Sequence, residues 1–327
     1  MSAPAPTLSV ILPNFNHARF LRKRIESILN QTLQDFELIL LDDCSTDGSQ
    51  SILSSYAGDP RVRIEFNEVN SGSTFKQWNK GVRLARGEYV WIAESDDYAD
   101  ERLLERLVAV LDADPTVKFA YCRSWYVTEE DQKNGFGDWY LDYLDPQRWK
   151  ADYFANGAEE CRNYFVFSNP VPNASAVVFR RGIYEHVGGA DESLRLCGDW
   201  KLWAAMALAG KVAYVAEPLN FFRFHEASVR SKSKYEARDV AEALRVVRWI
   251  LEHVRPSDAV REKLCEIYSF YWVPAIMSTH VPADLKWSIL SDMKAIDPHL
   301  LRRVVRPALV TLRLKFARYF QFARQRT

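Results

Sequence analysis

The stretch Tyr89-Val-Trp-Ile-Ala-Glu-Ser-Asp-Asp-Tyr98 decides how this chain folds. Its first five residues are apolar, a run long enough for a buried strand and too short for a helix. Asp96 and Asp97 follow at the carboxyl end of that strand, where open α/β sheets bind ligands. Paired carboxylates suit a hard cation, Mg²⁺ or Mn²⁺, that also holds a substrate diphosphate. On composition alone, a loop that caps the next helix is the more ordinary explanation.

Strands and helices alternate through the first part of the chain. Residues 8–12 and 36–41 have the pattern of buried strands, and apolar residues at helical spacing lie between them. The second strand leads into another acidic pair, Asp42 and Asp43. Because right-handed crossovers bring the carboxyl ends of parallel strands to one edge, both acidic loops should share that edge. The pattern predicts an α/β fold with a mixed, mostly parallel, Rossmann-like sheet flanked by helices.

The later sequence changes character twice. A stretch rich in Trp, Tyr, Asp and Gly at 123–150 suggests a long excursion over the site, and helical signals follow at 152–165. Residues 212–215 and 219–224 have the pattern of two edge strands. Beyond about 235 only helical periodicity remains. We therefore expect a catalytic domain at 1–230 and a helical extension at 231–327.

Charge and cysteine usage exclude several classes of protein. The 327 residues carry 43 basic and 43 acidic side chains, so no global charge attracts nucleic acid. Five scattered cysteines indicate neither a disulfide framework nor a zinc site, and they predict a reducing compartment. No export signal or membrane-spanning run is visible, which predicts a cytoplasmic protein.

The end of the chain is basic and amphipathic. Residues 301–327 hold eight Arg or Lys and no Asp or Glu, interleaved with apolar residues. Such a helix could bind the anionic inner face of the plasma membrane, where each basic residue contributes about 1 kcal/mol. Docking onto its own domain or onto a second copy in a homodimer explains the pattern equally well.

A series of motifs resembles the family 2 glycosyltransferases, inverting sugar-nucleotide enzymes with the GT-A fold. The resemblance runs from Leu8 to about Ser228 and depends on the order of motifs that are each common alone. They are Ser9-Val-Ile-Leu-Pro-Asn-Phe-Asn16, Ser27-Ile-Leu-Asn-Gln-Thr32, Leu41-Asp-Asp-Cys-Ser-Thr-Asp-Gly48, Asn70 with Gly72, Arg86-Gly-Glu-Tyr89, Ser95-Asp-Asp97, Gly188-Gly-Ala-Asp-Glu192, Gly198-Asp-Trp200 and Arg223-Phe-His225.

The resemblance implies a role for each matching residue. Asp199 would be the catalytic general base, and a divalent cation, Mg²⁺ or Mn²⁺, would be held by Asp97 with His225 near it. The uracil or thymine base of the donor would contact Asp43. The other donor-binding residues would be Pro13, Phe15, Asn70, Lys76 and Asp96. Plain helix caps at Asp43 and Asp199, and a surface histidine at His225, are the competing explanations.

Three departures from the family pattern matter. Phe15 stands where Tyr is usual, Gly198 where Glu is usual, and Trp78 where Arg is common, which leaves Lys76 as the cation for the diphosphate. The Gln-x-x-Arg-Trp element of processive members is missing, so we expect transfer of a single sugar.

The overall prediction is a nonprocessive, inverting, metal-dependent enzyme of bacterial surface polysaccharide biosynthesis. It would use a UDP- or dTDP-sugar and a glycan or lipid-linked acceptor. A catalytically degenerate member that binds nucleotide or glycan as an assembly or membrane adaptor is the alternative. A sugar-nucleotide pyrophosphorylase is disfavoured, because residues 13–17 contain no glycine for its phosphate loop.

Overall fold

A mixed sheet with helices on both faces organises the chain. The structure, a computed structural model, describes residues 5–137, 139–225, 237–297 and 299. Within those residues, ten strands form one sheet in the order β3-β2-β1-β4-β9-β6-β10-β5, with β7 added to β6 and β8 to β10. The strands are β1 (Leu8–Asn14), β2 (Phe36–Asp42), β3 (Val62–Phe66), β4 (Tyr89–Ile92), β5 (Tyr98–Ala99), β6 (Val117–Val127), β7 (Lys133–Phe136), β8 (Tyr153–Asn156), β9 (Val177–Arg180) and β10 (Lys211–Arg223).

The amino-terminal half of the sheet is parallel, and the other half is mixed. Strands β3, β2, β1 and β4 run parallel, and β6 pairs with β10 in parallel. Strand β9 is antiparallel to both of its neighbours, as are β5 and β8 to β10 and β7 to β6. The predicted α/β fold is confirmed, although the sheet is more mixed than expected. Strand β7 follows β6 through a short hairpin, a connection that only antiparallel strands allow.

Each face of the sheet carries its own helices. The helices are α1 (Ala18–Leu29), α2 (Ser49–Ser54), α3 (Thr74–Leu84), α4 (Leu103–Ala113), α5 (Gly157–Glu160), α6 (Arg181–His186), α7 (Gly198–Leu208), α8 (Arg238–His253), α9 (Asp258–Met277) and α10 (Ala283–Ile296). Side chains of α1 and α4 share one apolar core with Val10 and Leu12 of β1. Those of α3, α7 and the three last helices share the other core with Ile11. This alternation follows the two-residue period of a strand.

Several elements differ from the sequence prediction. The segment 152–165 begins with β8 instead of a helix, because Tyr153–Asn156 pairs with the start of β10. The two predicted edge strands are one internal strand, β10, whose register shifts on both sides of Pro218 accommodate a residue without an N–H. Strand β1 also continues through Pro13.

The helical extension packs on the catalytic core. Leu264 and Trp272 of α9 belong to the same buried cluster as Trp203 of α7. The expected domain boundary near residue 231 falls at 226–236, outside the described residues. The basic segment 301–327 also lies outside them.

Candidate active site

The two acidic loops meet at one edge of the sheet, as the strand pattern predicts. Strands β2, β1 and β4 are adjacent, and their carboxyl ends lead to Asp42, Asn14 and the Glu94–Asp97 loop. Asn14 Nδ2 donates to Asp42 Oδ2 at 2.8 Å, which ties the first two strand ends together. Asp42 also accepts from Ser45 N and Gln50 Nε2, so this buried carboxylate organises its own loop.

Asp43 faces a different set of donors from Asp42. Its Oδ1 accepts from Asn67 Nδ2, the Ser71 N–H and Gln77 Nε2, at 2.6–2.9 Å. Its Oδ2 accepts only the Ser71 hydroxyl, at 2.8 Å, among the contacts of the described residues. Because each carboxylate oxygen offers two lone pairs, Oδ2 keeps room for one further donor. Asp43 is thus fixed in place and is only 4% exposed.

The other predicted donor-binding residues lie around Asp43. Phe15 directly follows β1 and is 46% exposed, whereas Pro13 is buried within that strand. Asn70 donates to the Asp43 carbonyl at 2.8 Å and accepts from Gly72 N, so its side chain shapes the turn. Lys76 is exposed on α3, with its Nζ 3.3 Å from the Ser71 carbonyl.

The adjacent acids Asp96 and Asp97 point to different partners. His225 Nε2 lies 2.9 Å from Asp96 Oδ2. The Asp97 carboxylate instead accepts from Asn173 Nδ2 and from the Arg223 N–H. The sequence predicts that Asp97 and His225 both serve the metal. In the structure His225 lies beside Asp96, because the backbone turn after β4 sends successive side chains in different directions.

The pKa values of Asp96 and Asp97 are shifted in opposite directions. Burial raises the pKa of Asp96, but its hydrogen bond with His225 and its electrostatic interactions with His17 and His225 outweigh burial, and the net pKa is lowered. Burial and the neighbouring Asp96 charge raise the pKa of Asp97 well above its usual value. Asp96 is thus the acid of the pair that stays charged.

A buried cation lies behind this loop. Arg24 of α1 is fully buried, and its guanidinium lies 4.7 Å from the centre of the Trp91 ring. Within the described part of the chain, the guanidinium nitrogens make no hydrogen bond. Burial lowers its pKa to about 10, against the attraction of Asp97, Asp96 and Glu94. Burial and Asp96 raise the pKa of Glu94 to about 8. Arg24 therefore offsets part of the negative charge that the loop concentrates.

Asp199 lies in the first turn of α7 and is joined to the acidic loop through one short segment. Asn169 Nδ2 donates to Asp199 Oδ2 at 3.0 Å. Four residues later, Asn173 donates to Asp97. The segment 169–173, Asn-Pro-Val-Pro-Asn, thus contacts both acids, and its two prolines restrict the backbone between them.

Helix α3 connects all three acidic positions. Gln77 donates to Asp43, and Trp78 Nε1 donates to Glu94 Oε1 at 2.7 Å. Phe75 packs against Gly198, where an added Cβ would lie 2.5 Å from its ring. Trp78 thus supports the acidic loop by donating its indole N–H to Glu94. Gly198 is required because the Phe75 ring fills the space of a side chain.

Three side chains, one just before α1, one in the loop after β4 and one just after β10, have the composition of a cation site. One ligand atom each of His17, Asp96 and His225 lies within 4.8 Å of the others. Burial lowers the pKa of His17, which favours the neutral imidazole that can coordinate a metal. Two imidazole nitrogens and a carboxylate fit a divalent transition ion such as Mn²⁺. The residues present thus suit the cation that the sequence predicts, with Asp96 in the place expected for Asp97.

The family model for glycosyl transferase family 2 matches residues 9–187, more than half of the chain and the whole acidic edge. The chain belongs to glycosyl transferase family 2. Its sheet and helices form the GT-A type of fold, as the motif series predicts.

Curated relatives and solved structures agree with this. The glycosyltransferase GlyG of Streptococcus pneumoniae is 38% identical over 135 residues, which are 38% of this chain and 44% of GlyG. Poly(ribitol-phosphate) beta-N-acetylglucosaminyltransferase TarP of Staphylococcus aureus is 39% identical over 104 residues, 31% of each chain. The S. aureus TarS 1–349 structure with UDP-GlcNAc superposes with a TM-score of 0.69 at 17% identity, over 90% of this chain and 82% of that one. The chain thus spans less than half of GlyG and TarP, and the TarS likeness shows the shared fold.

Sequence reasoning missed several residues of this glycosyltransferase site. His17, Arg24, Asn169 and Asn173 all contact or offset the predicted acids, yet none was singled out. Only Arg24 carried a signal, since a basic residue at an apolar helical position between Leu21 and Ile28 is unusual.

Among the described residues, none of the helices has the length and apolarity needed to cross a membrane.

Proposed function

We propose that this family 2 glycosyltransferase inverts the anomeric centre as it moves one sugar from a UDP- or dTDP-sugar to a hydroxyl group. The acceptor would be a glycan or a lipid-linked glycan of bacterial surface polysaccharide biosynthesis, met at the cytoplasmic face of the membrane. The observation that carries the proposal is the joining of Asp43, the Glu94–Asp97 loop and Asp199 by α3 and by segment 169–173. The N-acetylglucosaminyltransferase TarP among the relatives and the UDP-GlcNAc complex of TarS support the choice of donor.

The donor base would bind at Asp43. A uracil or thymine N3–H would donate to the remaining lone pair of Asp43 Oδ2, while the exposed ring of Phe15 offers a stacking surface. Cytosine has no N3–H and adenine presents a different edge, so this contact favours UDP- and dTDP-sugars. Asn70 and Gln77 hold the loop in position for that contact.

Asp96 and His225 would hold the divalent cation beside the donor diphosphate. When bound, such a cation neutralises the negative charge that develops on the leaving group. Asp97, held by Asn173 and Arg223, keeps the loop in place behind them. Lys76 is the exposed cation on α3 that could reach the diphosphate from the other side.

Asp199 would act as the general base. Its carboxylate would accept the proton of the acceptor hydroxyl while that oxygen attacks the anomeric carbon from the face opposite the diphosphate, and the bond to the diphosphate breaks. A single displacement of this kind inverts the configuration and needs one base. The Asn169 amide fixes the carboxylate through Oδ2.

Replacement of the base tests this proposal. In Asp199→Asn we expect UDP-sugar binding to persist, measured by thermal stabilisation with Mn²⁺, while sugar transfer falls by about 10²–10⁴-fold. Asp258→Asn is the matched control, because Asp258 also lies in the first turn of a helix but is exposed on α9. Undiminished transfer by Asp199→Asn would remove the base assignment. Tight UDP binding by the wild type, with neither transfer nor hydrolysis of any UDP-sugar, would favour the adaptor alternative.

A further inference from the structure

We propose that His17 is a third protein ligand of the cation, and that the His17–Asp96–His225 set makes the site select Mn²⁺ over Mg²⁺. This deepens the proposed function by naming the metal and its ligands. His17 is the residue immediately before α1, and neither the predicted site nor the family resemblance gives it a role. The ligand atoms of the three side chains lie within 4.8 Å of one another.

The spacing of the donors is close to that of a coordinated ion. His225 Nε2 and Asp96 Oδ2 are 2.9 Å apart. Two adjacent ligands at about 2.1 Å from one metal, separated by a right angle, would be about 3.0 Å apart. The His17 and His225 rings are 5.4 Å apart between centroids and nearly perpendicular, at 85°. The two imidazoles therefore approach the carboxylate from different directions, without stacking on each other.

Other contacts hold His17 in this orientation. Its Nδ1 lies 2.8 Å from Ser95 Oγ, which leaves Nε2 for a metal. A hydrogen bond of this kind from the outer nitrogen is the usual support of a ligating histidine, because it fixes the tautomer and the ring plane. Phe20 packs against both imidazoles, with ring centroids 6.0 Å from His17 and 5.3 Å from His225. The site is thus formed by side chains with few alternative positions.

The donor chemistry decides which ion fits. Mg²⁺ prefers oxygen ligands, keeps most of its waters and is poorly served by two imidazoles. Mn²⁺, a first-row transition ion, binds imidazole nitrogen more strongly than Mg²⁺ does and shares its preference for carboxylate and phosphate oxygen. Three protein ligands on an ion of six coordination positions leave places for diphosphate oxygens. Asp96 and His225 alone would discriminate less between Mn²⁺ and Mg²⁺, so His17 is the residue that sets the preference for Mn²⁺.

Direct measurement of Mn²⁺ binding by electron paramagnetic resonance, with UDP present and no sugar transfer, tests the assignment. We expect His17→Ala to weaken Mn²⁺ binding by about 100-fold, since loss of a group that merely orients a ligand costs about 10–100-fold. We expect the ratio of Mg²⁺ to Mn²⁺ dissociation constants to fall by about tenfold in His17→Asp, which puts an oxygen ligand in place of the imidazole. His186→Ala is the matched control, because His186 is exposed at the end of α6.

Each other outcome has a defined meaning. Equal Mn²⁺ affinity in the wild type and a folded His17→Ala would overturn the proposal, as would a wild type that binds no Mn²⁺. Weaker UDP binding by His17→Ala without metal, at unchanged Mn²⁺ affinity, would make His17 a phosphate-binding residue instead. Mn²⁺ binding that depends on His17, in a protein that transfers no sugar, would uphold the metal site and reject the proposed function.

Discussion

Asn169→Asp changes one atom beside the proposed base and gives a quantitative test of the site. The variant keeps an oxygen to accept the Val171 N–H, but it replaces the Nδ2 donor with an oxygen 3.0 Å from Asp199 Oδ2. Two charges at that distance repel by about 5.5 kcal/mol at an effective dielectric constant of about 20. Solvent around the half-buried Asp199 screens part of this, so a rise of about 2–3 units in its pKa is expected.

The direction of the effect on activity follows from the role of the base. Only the ionised carboxylate accepts a proton, so activity is lost as the pH falls through its pKa. The acid limb of the kcat–pH profile should therefore move up by about 2–3 pH units in Asn169→Asp, so that transfer falls at pH values below the new limb and recovers at higher pH. Donor binding should not change, because Asn169 contacts neither Asp43 nor Asp96 among the described contacts.

The assay is UDP release as a function of pH, with a matched variant beside it. Asn156→Asp makes the same substitution at an exposed residue that caps α5, where Asp serves as well as Asn, and it should leave the profile unchanged. Superimposable profiles for the wild type and Asn169→Asp would refute either the contact or the assignment of Asp199 as the base.

Two further predictions concern the supports of the site. Gly198→Ala should destabilise the protein by about 1–3 kcal/mol in urea unfolding, because the added Cβ would meet the Phe75 ring. When Phe75→Ala is combined with it, most of that destabilisation should disappear. Gly182→Ala in α6 should not destabilise the protein, because no atom of the described residues lies within 4 Å of the added Cβ. Glu242→Gln should cost about 3 kcal/mol and lower kcat, whereas Glu252→Gln, on the exposed side of the same helix, should do neither. Unchanged stability in either Gly198→Ala or Glu242→Gln would show that the packing or the contacts described contribute little.

The sequence was sufficient for the parts of the fold that depend on local pattern. Continuous apolar runs placed β1, β2 and β4, and the rule for crossover connections placed both acidic loops at one edge. The pattern was insufficient where pairing decides the structure. Tyr153–Asn156 has helical neighbours in sequence but becomes a strand because β10 offers it an unpaired edge. That partner is about 60 residues away, and local periodicity carries no information about it.

The residue types of the site could be predicted from the sequence, but the directions in which their side chains point could not. Asp96 and Asp97 are chemically identical, and only the backbone turn after β4 decides which carboxylate meets His225 and which meets Asn173. Asn169 and His17 are ordinary loop residues in the sequence. Their contacts with Asp199 and Asp96 arise from chain segments 30 and 79 residues apart, which no motif in a single sequence records.

Hydrogen bonds connect the helical extension to the helix that carries the proposed base. This connection is one reason for the two parts to share one core. The Glu242 carboxylate of α8 is 5% exposed and accepts the backbone N–H groups of Arg195, Leu196 and Cys197. These amides immediately precede α7, so the carboxylate satisfies donors that would otherwise be buried and fixes where the first turn of α7 begins. Asp199 is in that turn. A displacement of α8 would therefore move the proposed base relative to Asn169 and the acidic loop. Because a misplacement of 1 Å can cost about 10²-fold in rate, we expect the position of the extension to affect the rate of transfer if Asp199 is the base.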